Sequence, residues 1–313
     1  MTPELAGAAE LTAVIVNYNA GPEIRAALQS IASEMARLDS GTAPRAGGGW
    51  EALVVDNAST DGSSDYVWEF APRARVLRNE VNVGFGRGIN QGVTASSAPF
   101  ILIMNPDCRL EPGAVATMRA ELEARPRCAI VGLRVLDPDG SEQGSARGDP
   151  DMLTGLFGRT GPLRHLLPSA AVSRRNVVST GRESVTVDWV SGACMLVRRS
   201  AFEEVGGFDP RYFLYWEDAD LCRRLRARGY EIRYVPGATA VHQVGHSSRT
   251  ARAASIRAFH ESAYLYYVTH VAPGAFNPKR PIARVLLAAR CWWRLRSKRS
   301  AVAKPRLRRG SRL

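Results

Sequence analysis

Residues 100–107 read FILIMNPD, and this stretch gives the first indication of the fold. Phe100 to Met104 form a continuous apolar run, and Asn105, Pro106 and Asp107 end it with turn-forming residues. A short apolar run bounded by a turn is typical of a strand that is buried on both faces. We therefore predict a buried strand whose carboxyl end presents a carboxylate.

The segments around this strand alternate between short apolar runs and helical patterns. Strands are predicted at 11–16, 52–55 and from 76, and helices at 22–38, after the turn 82–92, and at 112–125. Alternation of this kind predicts an α/β fold with a mostly parallel, Rossmann-like central sheet and helices on both faces. Residues 40–49 are rich in Gly and Pro and are predicted to be a loop.

The second half of the chain has weaker patterns. Residues 137–186 are rich in Gly, Pro, Ser and Arg, and we predict an irregular excursion with a little helix near 152–156. A strand is predicted at 187–197, a helix at 216–228 that ends at Gly229, and a strand at 230–235.

Basic residues are concentrated at one end of the chain. The 313 residues carry a net charge of +12, from 42 basic and 30 acidic residues. Residues 279–313 hold 13 Lys or Arg and no Asp or Glu, which leaves 29 basic and 30 acidic residues elsewhere. A nearly neutral body argues against nucleic acid as a partner, and the basic tail favours contact with an anionic surface.

The first residues of the chain and the number of cysteines indicate in which cellular compartment the protein is expected. The first residues contain acids and no basic run, unlike a secretory signal, and no apolar run approaches the ~20 residues of a spanning helix. The five cysteines are odd in number and widely spaced, which fits a reducing compartment. We expect a cytoplasmic protein with peripheral membrane contact.

Clusters of Asn and Asp follow three predicted strands, at 17–19, 56–57 and 105–107. Such residues commonly form turns, which accounts for any one cluster. In parallel sheets ligands bind beyond the carboxyl ends of the strands, so three clusters at one edge favour a polar site. A carboxylate such as Asp107 can hold Mg²⁺ or Mn²⁺ there, and the metal can bridge a diphosphate.

A second acidic segment, Trp216 to Asp220, places three carboxylates in the first turn of a predicted helix. Acids at this position stabilise the helix dipole, which is a sufficient structural reason for them. The preceding aromatic residues Tyr212, Phe213 and Tyr215 also suit a sugar site, and they can raise the pKa of a carboxylate, as a general base requires.

His242 and His246 lie four residues apart, after the predicted strand 230–235. A structural or exposed role is the common one for a single histidine. Gly245 and its neighbours favour a loop here, from which either histidine can join Asp107 at a metal.

The segment Gly84-Phe85-Gly86-Arg87-Gly88 is similar to a dinucleotide-binding fingerprint. That fingerprint belongs at the first strand–helix turn of its unit. Here it follows later strands, so we do not assign it to a dinucleotide.

Seven motifs together resemble the family 2 glycosyltransferases of the GT-A fold, over about residues 12–248. They are VIVNYN (14–19), VVDNASTDGS (54–63), NVGFGRGINQG (82–92), ILIMNPD (101–107), SGACMLVRR (191–199), GGFDPRYFLYWEDADLCRRLRARGY (206–230) and HQVGHSS (242–248). Within the family the chain is most similar to bacterial rhamnosyltransferases that act on polyprenyl-diphosphate-linked sugars in cell-wall assembly.

The resemblance implies a domain organisation. Residues 1–250 would form the GT-A glycosyltransferase domain, with a nucleotide-sugar half at about 11–135 and an acceptor and catalytic half at about 136–250. Residues 251–313 would form a C-terminal helical region with a basic tail that associates with membranes.

Roles for the donor site follow from the same resemblance. Asp56 resembles the carboxylate that binds the donor base, and Asn57 continues that motif. Asn17 and Asn19 are expected near the nucleotide. Arg87 stands where a basic residue can approach the diphosphate.

The resemblance also implies a metal site and a base. Asp107 matches the last acid of the family's D-x-D motif, and Asn105 replaces the first acid, as in the rhamnosyltransferase-like branch. Asp107 is therefore expected to be the main ligand of Mg²⁺ or Mn²⁺, with His242 as a metal or diphosphate contact. Asp218 resembles the catalytic base.

The implied reaction is the transfer of a sugar with inversion, with dTDP-rhamnose as the expected donor and a polyprenyl-diphosphate-linked saccharide as the acceptor. A carboxylate takes the proton of the acceptor hydroxyl as that hydroxyl attacks the anomeric carbon. The metal and Arg87 would stabilise the charge on the leaving nucleoside diphosphate.

The C-terminal segment 282–296 reads IARVLLAARCWWRLR, and helical spacing places its apolar residues mainly on one face. Tryptophan with arginine on an amphipathic helix suits a membrane interface. The alternative is a last core-packing helix followed by a solvated tail. Because a lipid-linked acceptor requires an enzyme at the surface, we expect residues 279–313 to bind anionic membranes at the inner face of the cell membrane.

The sequence also leaves alternative functions open. A nucleotidyltransferase, or a family 2 glycosyltransferase with a different donor, would have a similar sheet. A nucleic-acid-binding protein that uses the basic tail is disfavoured by the neutral body. A catalytically inactive sugar-nucleotide sensor is disfavoured by the presence of Asp56, Asp107 and Asp218.

Overall fold

The computed structural model describes residues 9–39, 49–70, 72–149, 181, 183–243 and 252–297. The chain divides into two compact units, Met1–Thr250 and Ala251–Leu313. The predicted loop at 40–49, except for residue 49, the short helix near 152–156 and His246 lie outside the described residues.

A sheet forms the centre of the first unit, with its strands in the order β3-β2-β1-β4-β10-β6-β11-β5. Strands β3, β2, β1 and β4 are parallel neighbours, whereas β10 runs antiparallel to β4 and β6. The strands are β1 Ala9–Asn17, β2 Gly49–Asp56, β3 Ala74–Arg78, β4 Phe100–Met104, β5 Cys108–Leu110, β6 Cys128–Leu136, β7 Ala146–Arg147, β8 Val185–Thr186, β9 Trp189–Val190, β10 Cys194–Arg198 and β11 Glu231–His242.

Helices cover both faces of this sheet because alternate residues of each strand point to opposite sides. Ile15 of β1 belongs to the core that includes α1 and α3, whereas Val14 and Val16 belong to the core that includes α2 and α5. The helices of the first unit are α1 Glu23–Asp39, a 3₁₀ helix Ser63–Phe70, α2 Phe85–Thr94, α3 Ala114–Ala124, α4 Arg199–Glu204 and α5 Glu217–Ala227. This arrangement confirms the predicted α/β fold class.

Helix α2 packs unusually close to β1 through two glycines. A Cβ atom on Gly88 would lie 2.8 Å from Val16 Cγ2, and one on Gly92 would lie 2.4 Å from Val14 Cγ1. A methyl group at either position would therefore push the helix off the sheet. The close packing of α2 on β1 therefore explains why Gly88 and Gly92 are glycines, and no bound dinucleotide is needed to explain them.

Three sequence-based assignments are wrong. Most of the predicted turn 82–92 is helical, since α2 extends over Phe85–Thr94 and its glycines pack on β1. The predicted strand 187–197 is divided into β9 and β10, because the turn 191–193 between them bonds elsewhere: the Ser191 N–H donates to Ser145 O over 2.8 Å. His242 does not lie in a loop. It is the last residue of β11, which passes an irregularity between Val235 and Thr239 and then continues in pairing with β6 and β5.

The second unit contains α6 Arg252–Tyr266, a π-helical turn Tyr267–Val271 and α7 Lys279–Ser297. Helices α6 and α7 pack against each other. Among the described residues, we find no helix that combines the length and the apolar character needed to cross a membrane.

Candidate active site

Asn17 and Asp56 lie side by side at the ends of the neighbouring parallel strands β1 and β2. Both are buried, and Asn17 Nδ2 donates a hydrogen bond to Asp56 Oδ1 over 2.9 Å. The same amide group also lies 2.9 Å from Ser63 Oγ and 3.1 Å from Ser59 Oγ. The three contacts of this one amide nitrogen hold Asn17 against Asp56 and so fix the Asp56 carboxylate at this edge.

The amides of Asn19 and Asn57 extend the same network. Asn19 Oδ1 accepts a hydrogen bond from the Thr60 N–H at 2.8 Å. The buried Asn57 side chain accepts from Asn79 Nδ2 at 2.8 Å and donates to Gly84 O at 3.2 Å. These contacts connect β1, β2 and the start of α2 at one edge of the sheet, as the sequence predicted for a polar site.

Arg87 lies in the first turn of α2 and is exposed. Its Nε donates to Pro210 O over 2.9 Å, which links α2 to the segment that leads into α5. Helix N-termini favour anions, so a cation here adds to an environment that suits a diphosphate. In the structure, however, Arg87 contacts the 210 segment and none of the other predicted donor residues directly.

Asn105, Asp107 and His242 are brought together where β4 and β11 end. His242 Nε2 lies 3.1 Å from Asp107 Oδ1 and 3.2 Å from Asn105 Nδ2. On the other side of the ring, Nδ1 lies 2.9 Å from Gln143 Oε1. A carboxylate oxygen and an imidazole nitrogen thus lie within contact distance, although their residues are far apart in sequence.

These side chains can supply part of a divalent-cation site. Two ligands at right angles, each ~2.1 Å from an ion, lie about 3.0 Å apart, close to the 3.1 Å between His242 Nε2 and Asp107 Oδ1. No group of three or more His, Cys, Asp or Glu suited to a metal occurs among the described residues. The pair therefore fits an ion that takes its other ligands from substrate phosphates and water, as Mg²⁺ commonly does.

Asp218 lies in the first turn of α5. Its Oδ2 accepts the Gly192 N–H at 3.0 Å, and its Oδ1 accepts the Ala219 N–H at 2.8 Å. Burial raises the pKa of Asp218, and the two backbone N–H groups and the charge of Arg147 oppose the rise. A carboxylate with a raised pKa is a stronger proton acceptor when ionised, which suits a general base.

The neighbouring residue, Glu217, is a second acid in the first turn of α5, and its side chain is buried. Burial and the charge of Asp218 raise the pKa of Glu217 well above its ordinary value. Glu217 therefore holds its proton to a higher pH than a free carboxyl group does, which makes it a poorer candidate for the base than Asp218, whose carboxylate is stabilised by two backbone N–H groups.

A short loop, 191–193, connects the predicted metal residues to Asp218. The Asn105 N–H donates to Ala193 O over 2.9 Å, and the Gly192 N–H donates to Asp218 Oδ2 over 3.0 Å. Gly192 also lies beside α2: a Cβ atom there would be in ordinary van der Waals contact, at 3.5 Å, with both Phe85 Cε1 and Asp218 Cβ. The turn at Asn105, the start of α2 and the start of α5 therefore meet around this loop.

The segment before α5 adopts a strained backbone. Tyr215 and Trp216 both have positive φ, 68° and 71°, a conformation that costs non-glycine residues about 1–3 kcal/mol each. Phe213 and Tyr215 remain exposed in this segment. Exposed rings beside Asp218 are suitable surfaces for packing against a sugar.

Sequence reasoning missed two residues of the site, Gln143 and Arg147, because it treated 137–186 as an irregular excursion. The turn signal Asp137-Pro138-Asp139-Gly140 marks a defined reversal just before them. From that reversal, Gln143 reaches His242, and Arg147 of β7 stacks on Trp189 and lowers the pKa of Asp218.

Comparison with known proteins agrees with this geometry. Residues 12–206 match the family model for glycosyl transferase family 2, and residues 181–247 match the model for the N-terminal domain of galactosyltransferase. The chain is 32% identical over 299 residues to the N-acetylglucosaminyl-diphospho-decaprenol L-rhamnosyltransferase of Mycobacterium tuberculosis (strain CDC 1551 / Oshkosh), covering 92% of this chain and 93% of that protein.

Two further likenesses extend the comparison. Over 80 residues, 26% of this chain and 30% of the relative, it is 44% identical to the rhamnosyltransferase WbbL of Escherichia coli (strain K12). A mannosyltransferase of Pyrobaculum calidifontis, solved with GDP-Man and Mn²⁺, superposes with a TM-score of 0.55 at 18% identity, covering 95% of this chain and 76% of that one. This likeness shows the fold and confirms the expected GT-A architecture.

The family match extends over more than half of the chain and includes both the Asn17 and Asp56 strand ends and the Asn105 to Asp107 turn. The alignment with the Mycobacterium tuberculosis rhamnosyltransferase, which covers 92% of this chain, extends the match to the region of Asp218. The protein is therefore an enzyme, and the chain belongs to glycosyltransferase family 2.

Proposed function

We propose that this enzyme transfers L-rhamnose from dTDP-rhamnose to a hydroxyl of a polyprenyl-diphosphate-linked saccharide in cell-wall or polysaccharide assembly. The observation that carries the proposal is the 32% identity to a rhamnosyltransferase that acts on a diphospho-decaprenol-linked sugar, over 92% of this chain and 93% of that protein. A match of that extent covers the residues that we assign to a donor half and to an acceptor half.

Residues of about 11–135 bind the donor in this proposal, and residues of about 136–250 bind the acceptor. Asp56, fixed by Asn17, contacts the base, and Asn57 and Asn19 shape the surrounding edge. Arg87 approaches the diphosphate from the first turn of α2. The support is the hydrogen-bond network that joins these strand ends.

Asp218 takes the proton of the acceptor hydroxyl while that oxygen attacks the anomeric carbon from the face opposite the leaving group. One displacement of this kind inverts the anomeric centre and needs no covalent intermediate. The Gly192 and Ala219 N–H groups orient the carboxylate, and burial raises its pKa. The nucleoside diphosphate leaves with the electron pair of the broken bond.

Asp107 and His242 would hold a divalent cation, Mg²⁺ or Mn²⁺, with Asn105 beside them. When bound, the cation supplies positive charge for the diphosphate. The 3.1 Å separation of the Asp107 and His242 donor atoms supports this assignment.

The expected substrate preference can be tested directly. Thymidine, uridine and guanosine diphosphate sugars would be compared for binding by calorimetry and for turnover with a polyprenyl-diphosphate-GlcNAc acceptor. We expect transfer from dTDP-rhamnose, with dTDP rather than pyrophosphate released. Pyrophosphate as the product would support a nucleotidyltransferase, and tight binding of a uridine or guanosine sugar without binding of the thymidine sugar would overturn the donor assignment.

Helix α7 supports a location at the membrane surface because its apolar side chains face outward. Ile282, Val285, Trp292 and Trp293 are between 48% and 67% exposed. By contrast, Arg290 of α7 is only partly exposed and lies against α6, with its Cζ atom 5.6 Å from the centroid of the Phe259 ring. A helix that exposes its apolar side chains and turns an arginine to its neighbour has the opposite pattern to a helix packed for water.

We accordingly assign residues 279–313 to an anionic membrane surface, at the inner face of the cell membrane. The basic side chains attract the surface, at about 1 kcal/mol each, and the exposed rings enter the headgroup region. The first contribution weakens as salt shortens the Debye length, whereas the second persists.

The triple variant Ile282→Ser, Val285→Ser, Trp293→Ser is expected to release the protein from anionic vesicles at moderate salt, as is truncation after Pro278. Because the three side chains are exposed, the triple variant should keep its melting temperature. Activity on a lipid-linked acceptor should fall far more than activity on a short soluble analogue, measured alongside vesicle sedimentation.

Trp68, which is 60% exposed on the 3₁₀ helix of the first unit, offers a matched control. Trp68→Ser should sediment with vesicles as the wild type does. Equal sedimentation of the triple variant, the truncated protein and the wild type would show that this region is not the anchor.

A further inference from the structure

Gln143 is held in one orientation by two acceptors. Its Nε2 group donates to Asp137 Oδ1 at 2.9 Å and to the His242 backbone carbonyl at 2.8 Å. A carbonyl oxygen accepts only, and so does an ionised carboxylate, so the amide nitrogen must face them. The Gln143 Oε1 atom is thereby directed at the His242 ring.

This orientation determines where the His242 ring carries its proton. Oε1 of Gln143 lies 2.9 Å from His242 Nδ1 and can only accept, so Nδ1 must donate. In the neutral ring the other nitrogen, Nε2, then has a free lone pair. The Asn105 Nδ2 group, 3.2 Å from Nε2, is a donor that suits this tautomer.

The lone pair lies beside a carboxylate. His242 Nε2 and Asp107 Oδ1 are 3.1 Å apart, and two electron-rich atoms at this distance repel unless positive charge lies between them. A second proton on the ring or a divalent cation bound to both atoms would supply that charge, and only the cation uses Nε2 as a ligand. Metal-binding histidines commonly donate their second ring N–H to an acceptor, which fixes the tautomer and the ring orientation.

We propose that Gln143 is a positioning residue for the divalent cation: it accepts the Nδ1–H of His242 and so presents Nε2, beside Asp107, to the metal. Asp137 in turn orients Gln143. This inference rests on the proposed function, because it requires the cation to bind at Asp107 and His242.

The test measures Mn²⁺ binding to the full chain by electron paramagnetic resonance, with Mn²⁺ alone and with Mn²⁺ plus dTDP. Gln143→Met keeps the side-chain length and removes the acceptor. We expect its Kd for Mn²⁺ to rise by about 10- to 100-fold. Gln29→Met, at an exposed position of α1, is the matched control and should bind as the wild type does.

A double variant separates the hydrogen bond from side-chain packing. Asp137→Asn with Gln143→Glu keeps an acceptor on Nδ1 and lets the new amide donate to the new carboxylate, although the bond from residue 143 to the His242 carbonyl is lost. Its Mn²⁺ affinity should therefore lie clearly above that of Gln143→Met and below that of the wild type. Failure of this rescue, in a protein with a normal melting temperature, would contradict the proposal.

A second readout needs no variant at residue 143. Nitrogen-15 NMR of the metal-free wild type, with the signal assigned by His242→Gln, should show a protonated Nδ1. A neutral ring protonated only at Nε2 would overturn the proposal. If Asp107→Ala abolishes Mn²⁺ binding while Gln143→Met leaves it unchanged, the Gln143 role fails and the metal site stands. Equal binding by the wild type and Asp107→Ala would refute both.

Discussion

Asp218→Asn is expected to lower turnover by about 10²-fold or more, since the amide cannot take a proton from the acceptor hydroxyl. Donor binding should remain nearly intact, because the amide oxygen of the variant can still accept the Gly192 N–H and no donor residue is changed. The measurements are turnover at saturating substrates and donor Kd by calorimetry. Near-normal turnover would refute the assignment of the base.

The pH profile of the wild type provides a second check. The base must be ionised, so the rate should rise as pH increases through the pKa of Asp218. Burial raises that pKa above its ordinary value, which places the acidic limb of the profile above pH ~3.9. That limb should be absent from the residual activity of Asp218→Asn.

Glu217→Gln is the matched control for this experiment. Burial and the charge of Asp218 raise the pKa of Glu217 well above its ordinary value, so a neutral amide resembles the form that the folded enzyme favours and should keep turnover within a few-fold. In the wild type, unfolding lets Glu217 ionise above pH ~4.3, and stability falls by up to about 1.4 kcal/mol per pH unit until the folded pKa is reached. Glu217→Gln lacks this pH-dependent loss of stability. The melting temperature of the variant minus that of the wild type should therefore increase as the pH is raised from 5 to 8.

Removal of the divalent cation is expected to abolish transfer, and Asp107→Ala should lose metal-dependent donor binding. The variant removes a carboxylate that lies 3.1 Å from His242 Nε2, and the remaining imidazole and amide provide no negative charge for the ion. Turnover would be measured with excess chelator and after Mg²⁺ or Mn²⁺ is restored. Donor binding would be measured with and without metal.

Glu203→Ala removes an exposed carboxylate of α4 and should behave as the wild type in these assays. Full activity in excess chelator would show that Arg87 and other protein groups suffice to stabilise the leaving diphosphate. Restoration of activity by one of the two metals alone would identify the ion that the enzyme uses.

The first half of the fold could be predicted from sequence because its signals are local. The strand at 100–104 is found with those bounds, and the continuous apolar runs of a parallel sheet leave little ambiguity. The Asn and Asp clusters could also be placed at one edge, since the ends of parallel strands meet there. The catalytic, donor and metal roles of these residues stay predictions.

The remaining parts of the fold and of the candidate site depend on contacts between segments that are far apart in sequence. A local sequence pattern does not reveal such contacts. The strand β11 continues to His242 because β5 and β6 supply its partners, although its sequence contains a break at Gly237. Gln143 is recognisable as part of the site only when His242, 99 residues later, lies next to it. Likewise, the division of 187–197 follows from bonds to Ser145 and Asp218.

The loop 191–193 acts as a spacer of fixed length. It bonds to Asn105 through one residue and to Asp218 through the adjacent one, so it determines how far the Asp218 carboxylate lies from the Asp107 turn. A relative with one residue inserted here would keep every acidic side chain and still hold them at the wrong separation. Among such sequences we therefore expect the length of this loop to separate active enzymes from inactive ones better than an inventory of their carboxylates.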